Sequence, residues 1–126
     1  MPTYIPSQLF AAIRAGEALT VRTIATANPV LLQVRNERGS TPLILAAYLG
    51  DLESTRAIVE AGADLEATDR SGTALMGASF KGHTEIVDYL LSRGASGKAT
   101  NEAGATALDY ARMGNHRAVV ELLESA

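Results

Sequence analysis

The sequence predicts an all-α solenoid, in which helix-turn-helix units stack in chain order and are joined by short β-hairpin-like loops. One phrase recurs along the chain: Asn36-x-x-Gly39 before Thr41-Pro42-Leu43, Asp69-x-x-Gly72 before Thr73-Ala74-Leu75, and Asn101-x-x-Gly104 before Thr106-Ala107-Leu108. The copies lie about 33 residues apart, the period of a unit that buries its apolar face only against its neighbours. Counted from each threonine, leucine follows at Leu43, Leu75 and Leu108 and alanine at Ala46, Ala78 and Ala111. Leucine and alanine three apart share a helical face, so each phrase opens a helix with one buried side. Punctuation completes the pattern, because Gly16, Gly50, Gly82 and Asn115 stand at one offset and accept the left-handed conformation that ends a helix.

The first unit, residues 3–35, is a degenerate copy in which Ser7 precedes Leu9 and Ala12 at the threonine offsets. Its first helix is expected to open on the Ser7 hydroxyl; its second spans Leu19 to Ala27 and is broken by Asn28-Pro29. Val30 to Arg35 is too short for another helix and is expected to be a turn. In the second unit, residues 36–68, Thr41 can cap orphan backbone N–H groups, and Pro42 sits in the first turn, where a missing donor costs nothing. Its second helix runs from Leu52 to Ala61, with Ser54 and Thr55 where later units carry Ile86-Val87 and Val119-Val120. Those hydroxyls predict a less tightly held outer helix.

The third unit, residues 69–100, has one residue fewer between glycine and threonine than the second, and its second helix covers Glu85 to Arg93. The fourth, residues 101–126, continues from Ala118 to the end of the chain. Ile24, Ile58, Leu90 and Leu123 share one inward position of the second helices, whereas Glu124 falls where the interior units place Ala25, Val59 and Leu91. A carboxylate there predicts water beyond the last unit, so the array is expected to be complete as a single domain over residues 1–126. The recurrent alanine predicts helix backbones in close approach, where nothing larger fits.

These residues resemble the ankyrin repeat, with its G-x-T-P-L opening, A-A-x-x-G-H middle and G-A-D close. Gly39-Ser40-Thr41-Pro42-Leu43, Ala46-Ala47-Tyr48-Leu49-Gly50 and Gly62-Ala63-Asp64 match that pattern nearly letter for letter. The resemblance covers about residues 3 to 126. Departures are the shortened third phrase, Ala74 and Ala107 in place of proline, and Asn115 in place of glycine; local adjustment of the loops is expected from them.

Composition excludes several classes of function. With 11 Lys and Arg against 14 Asp and Glu, the net charge is −3 and no cationic run forms a footprint for a phosphate backbone, so no nucleic-acid partner is expected. No stretch reaches membrane-span length and Met1-Pro2-Thr3-Tyr4 lacks the cationic start of a secretory signal, so no membrane partner is expected and cytoplasm is the default location. The 126 residues contain no cysteine, which removes disulfides and thiolate chemistry. His83 and His116 repeat one position just after the helix stop, as expected of imidazoles that hydrogen-bond local backbone. Gly94 to Thr100 has the composition of a phosphate loop, yet Ser92 stands at the first glycine position and Ala99 where a hydroxyl should follow Lys98. Glu53 and Glu85 lie beside basic residues on solvated helix faces, and no serine has a histidine at a matching position. No catalytic residue, metal site or cofactor is expected.

Function must then reside in a surface. The resemblance implies a concave face made of hairpin tips and first helices. Its tip residues here are Glu37, Arg38, Ser40, Arg70, Ser71, Glu102, Ala103 and Ala105, and its helix residues Arg14, Tyr48, Leu49, Phe80, Lys81 and Met113. Tyr48, Phe80 and Met113 would align as an apolar ladder among charges, the composition of a binding hot spot. Packing of these side chains on one another is the competing account, and Phe10, Ile44 and Met76 are expected to be partly buried core. The favoured function is a noncatalytic module, monomeric when free, that binds another protein. An inhibitor or immunity-type protein occluding a toxin or enzyme is the alternative, and a small enzyme or ligand-binding protein the remote one.

Overall fold

The computed structural model describes residues 3–126; Met1 and Pro2, included in the expected domain, lie outside the described residues. Eight α-helices form four successive pairs among the described residues: α1 (Pro6–Ala15) with α2 (Ala18–Ala27), α3 (Pro42–Leu49) with α4 (Leu52–Glu60), α5 (Ala74–Lys81) with α6 (Thr84–Ser92), and α7 (Ala107–Met113) with α8 (Arg117–Ser125). No strand occurs among the described residues. The loops therefore have the outline of hairpins without a sheet ladder.

Helix starts follow the phrase. Thr41, Thr73 and Thr106 Oγ1 accept from the N–H groups of Ile44, Met76 and Asp109 at 3.3, 3.3 and 3.2 Å. At Thr106 the cap is reciprocal, since its own N–H donates to Asp109 Oδ2 at 2.9 Å. That backbone bond, followed by the threonine hydroxyl and Arg112, holds the Asp109 carboxyl below the usual carboxylate range. The first unit departs from expectation. Ser7 lies inside α1, whose cap is Ile5, and Gln8 Oε1 accepts the Ile5 N–H at 2.8 Å. Pro6 explains the shift, because its fixed φ and absent donor suit the first helical position.

The stop signals act as expected: Gly16, Gly50 and Gly82 are left-handed helix caps, and Asn115 takes φ 58° in the last unit. Between α2 and α3 the expected turn contains a short 3-10 helix, Pro29–Gln33, which buries Leu31 and Leu32. The shortened third phrase closes one residue earlier: the Asp69 N–H bonds the Gly72 carbonyl, where Asn36 reaches Ser40 and Asn101 reaches Ala105.

Packing produces two layers. Helices α1, α3, α5 and α7 touch in that order, as do α2, α4, α6 and α8 behind them. Ala12, Ala46, Ala78 and Ala111 are buried between neighbouring helices of the first layer, and helices in such contact have axes about 8–10 Å apart. Leu9, Leu43 and Leu75 fill the space between layers, as do Ile24, Ile58 and Leu90. Leu108 and Leu123, their counterparts in the last unit, are half-buried, and Glu124 is exposed and pairs with Arg112 at 3.0 Å.

Two packing expectations are corrected. Phe10, Ile44 and Met76 are fully buried rather than partly so. Ser54 and Thr55, expected to loosen α4, are buried with both hydroxyls satisfied: Ser54 Oγ donates to Asp51 Oδ2 at 2.6 Å and Thr55 Oγ1 to the Asp51 carbonyl at 2.7 Å. Asp51, the α4 cap, thus replaces apolar packing with hydrogen bonds. Among the described residues no helix is long and apolar enough to cross a membrane.

Leu75, 1% exposed at the centre of the stack, should cost about 2–5 kcal/mol of stability when replaced by alanine, read from the urea midpoint. Gly82→Ala and Gly16→Ala form a matched pair, because both glycines are left-handed (φ 75° and 71°) but only at Gly82 does an added Cβ collide with a neighbour, the His116 ring. Both should lose roughly 1–2 kcal/mol of stability to left-handed strain, and Gly82→Ala should lose more.

Candidate functional site

At each loop tip, the side-chain oxygen of the leading Asn or Asp folds the chain back on itself. Asn36 Oδ1 accepts from the N–H groups of Arg38 and Ser40, both at 3.0 Å. Asp69 Oδ1 accepts from Ser71 and Gly72 at 2.8 and 3.0 Å, and Asn101 Oδ1 from Ala103 and Ala105, both at 3.0 Å. These are Asx turns, which order backbone without a sheet. The remaining polar atoms of Asp69 and Asn101 tie each tip to the preceding one. Ser40 Oγ donates to Asp69 Oδ2 at 2.8 Å, and Asn101 Nδ2 donates to the Ser71 carbonyl at 2.9 Å and to the Tyr110 hydroxyl at 2.8 Å. Arg35 adds another tie by donating to the carbonyls of Gly39 and Thr68, at 2.7 and 2.5 Å.

Beside the tips, the last turns of α3, α5 and α7 carry Tyr48, Phe80 and Met113, which are 43%, 42% and 68% exposed. The histidines help to set this row. His83 Nε2 lies 3.0 Å from the Tyr48 carbonyl and His116 Nε2 2.8 Å from the Phe80 carbonyl. A carbonyl only accepts, so Nε2 carries the proton in each. The bonds reach back one whole unit, which corrects the expectation of a local contact. Each satisfies a C-terminal helix carbonyl that lacks an intrahelical partner, at the residue whose side chain forms the row.

Tips and helices enclose an open groove of about 1090 Å³. Its floor is uneven, because the helical position facing it four residues after the threonine is Leu45 in α3, Gly77 in α5 and Tyr110 in α7. Gly77 leaves the space occupied along one side by the Tyr48 ring: a Cβ at residue 77 would lie 3.6 Å from Tyr48 Cδ1. Phe80 meets Tyr110 edge to face with ring centroids 5.8 Å apart, and Lys81 Nζ sits 5.2 Å from the Tyr48 ring centroid. The aromatic residues are therefore both packed and accessible, one face supported and the other open to the groove. A smaller hollow of about 580 Å³ beside the 3-10 turn, bordered by Val30, Gln33, Ala61 and Asp64, has no aromatic lining.

Of the residues named from sequence, the groove brings together Glu37, Arg38, Tyr48, Arg70, Phe80 and Met113. Arg14, Leu49, Lys81 and Glu102 are exposed but lie outside its lining. Arg14 instead pairs with Glu37 at 3.4 Å, an exposed bridge worth little by itself. Leu49, 47% exposed, stands apart from the row. Sequence reasoning missed the floor residues Leu45, Gly77 and Tyr110. Their signal was available: they precede the ladder residues by three positions and so share their helical face. The stretch from Gly94 to Thr100 is a connection between units, in which the Ser96 N–H donates to Glu66 Oε2 at 2.9 Å.

Comparison with protein-family models matches residues 38–70 to the ankyrin repeat and residues 58–111 to ankyrin repeats (many copies). The matched stretch, 38–111, contains α3 to α6, α7 as far as Ala111, and the whole groove apart from its edges at Asn36, Glu37 and Met113. No curated protein matches the chain.

Gly77→Ala should raise stability by about 0.5–1 kcal/mol, because it removes a mid-helix glycine and its methyl group makes ordinary van der Waals contact with Tyr48. Chemical denaturation checks this, and a loss of stability would mean the tyrosine ring crowds that spot.

Proposed function

Because the chain belongs to the ankyrin-repeat family, whose repeats are in general protein-protein interaction modules, we propose that it is a noncatalytic binding module that takes a protein partner into the groove. The observation that carries this reading is the row of Tyr48, Phe80 and Met113, all exposed beside tips that hydrogen bonds hold in place. Aromatic side chains with few torsions, supported on one face, gain contact area on binding with little loss of entropy. In this reading Glu37, Arg38 and Arg70 form the polar rim, and Lys81 lies beside it, 5.2 Å from the Tyr48 ring centroid. Arg14, Leu49 and Glu102 flank the groove and touch only a partner larger than it.

A protein partner agrees better than a nucleic acid with the net charge of −3 and with the mixed signs of the rim. Both histidines face backbone carbonyls, an arrangement that serves packing between units and leaves no imidazole aimed into the groove. The free chain is proposed to be a monomer, with the groove open to solvent.

Recovery of partner proteins on the immobilised chain, compared with Tyr48→Ala/Phe80→Ala, tests the groove. The double variant should keep its thermal midpoint within a few degrees and lose binding by roughly 2 kcal/mol or more, as for central aromatic anchors. Undiminished recovery with an intact midpoint would remove the groove from the interface.

A further inference from the structure

The groove is more cationic than the chain around it. The whole sequence carries −3, whereas the charges that line the groove balance, with Glu37 and Asp69 against Arg38 and Arg70; both acids already have partners, Glu37 in Arg14 and Asp69 in the Ser40 hydroxyl and two backbone N–H groups. Arg38 and Arg70 line the groove, are exposed, and have no acidic partner among the described residues. Lys81, outside the lining, lies 5.2 Å from the Tyr48 ring centroid and has no acidic partner among the described residues. Apolar rings and arginines without an acidic partner thus lie along one side of the stack, where the acids beside them have their hydrogen-bonding capacity in use.

Spacing adds a second constraint. The ladder advances one residue per unit, and packed helices are about 8–10 Å apart. A β-strand turns alternate side chains to opposite faces, so its residues three apart cannot share the ladder. A polyproline II segment returns to the same face every third residue after about 9.3 Å, and aromatic-lined grooves favour this conformation because it is ordered before binding.

From charge and spacing together we infer that the occupant is an extended acidic segment of the partner protein, with an apolar residue at every third position and carboxylates directed at Arg38 and Arg70. This rests on the groove being the docking surface. The apolar residues sit between Tyr48, Phe80 and Met113, above the gap left by Gly77, and the carboxylates face the rim. Charge complementarity of this kind accelerates encounter and excludes basic sequences.

Selection of random phage-displayed dodecapeptides on the intact chain, with counter-selection on Y48A/F80A, tests the inference. Retained peptides should be rich in Asp and Glu, poor in Lys and Arg, and should carry apolar residues three apart. A synthetic copy of the most enriched peptide should bind R38E/R70E about tenfold more weakly or worse, bind R38Q/R70Q to an intermediate degree, and weaken as salt is raised. Both arginines are exposed, and equal urea midpoints would confirm that these variants remain folded. Basic or uncharged peptides, or affinity unchanged in R38E/R70E, would overturn the acidic occupant and leave the groove as docking surface. Helical peptides with apolar residues seven apart would overturn the extended conformation. Peptides held equally by Y48A/F80A, or no enrichment over it, would overturn the groove itself and the inference with it.

Discussion

The burial of alanine at one repeated position, Ala12, Ala46, Ala78 and Ala111, in the row of touching first helices is the constraint on which everything else in this molecule depends. A methyl group at this position lets neighbouring helices pack closely, and bonds that cross between units become possible. His83 reaches the Tyr48 carbonyl, His116 the Phe80 carbonyl, and Asp69 the Ser40 hydroxyl across the contact between units. A larger side chain at any of these positions would part the helices and break a set of distant polar contacts together with the local packing.

Those polar contacts provide order where apolar burial cannot. The tips project beyond the helices and have no sheet, so their backbone groups would otherwise depend on water. Asx turns satisfy them within each tip, and the second polar atom of Asp69 or Asn101 spends its capacity on the tip before it. A surface fixed in this way loses little entropy when it is covered. The same economy appears in α4, where Asp51 satisfies the buried Ser54 and Thr55 hydroxyls and a polar pair occupies an apolar site at small cost.

The groove is a product of uneven repetition. A strictly repeated unit would present equal side chains along the stack and a flat face. Here the floor position passes from Leu45 to Gly77 to Tyr110, so a gap opens beneath the row of exposed aromatic residues. The charges are uneven in a similar way. Glu37 is drawn to Arg14 while Arg38 and Arg70 are left to solvent, so the charges lining the groove balance in a chain that carries −3.

Much of the fold was legible from residue order, because the rules that govern it act within a few residues. Threonine hydroxyls capped helices three residues on, glycines stopped them, and a leucine-alanine pair three apart marked the buried face. The cap at Ser7 was misplaced because Pro6 competes for the first turn with its fixed torsion, and the 3-10 turn was not foreseen because Leu31 and Leu32 needed a core to enter. The Tyr48, Phe80 and Met113 row was visible as an offset, but its gap, its pairing of Arg14 with Glu37 and the destinations of both histidines were not. Sequence alone determined which residues lie on one helical face and in what order the units follow. Tertiary structure decided which atoms meet across units, since that depends on the distance and rotation between stacked helices, quantities that no local periodicity encodes.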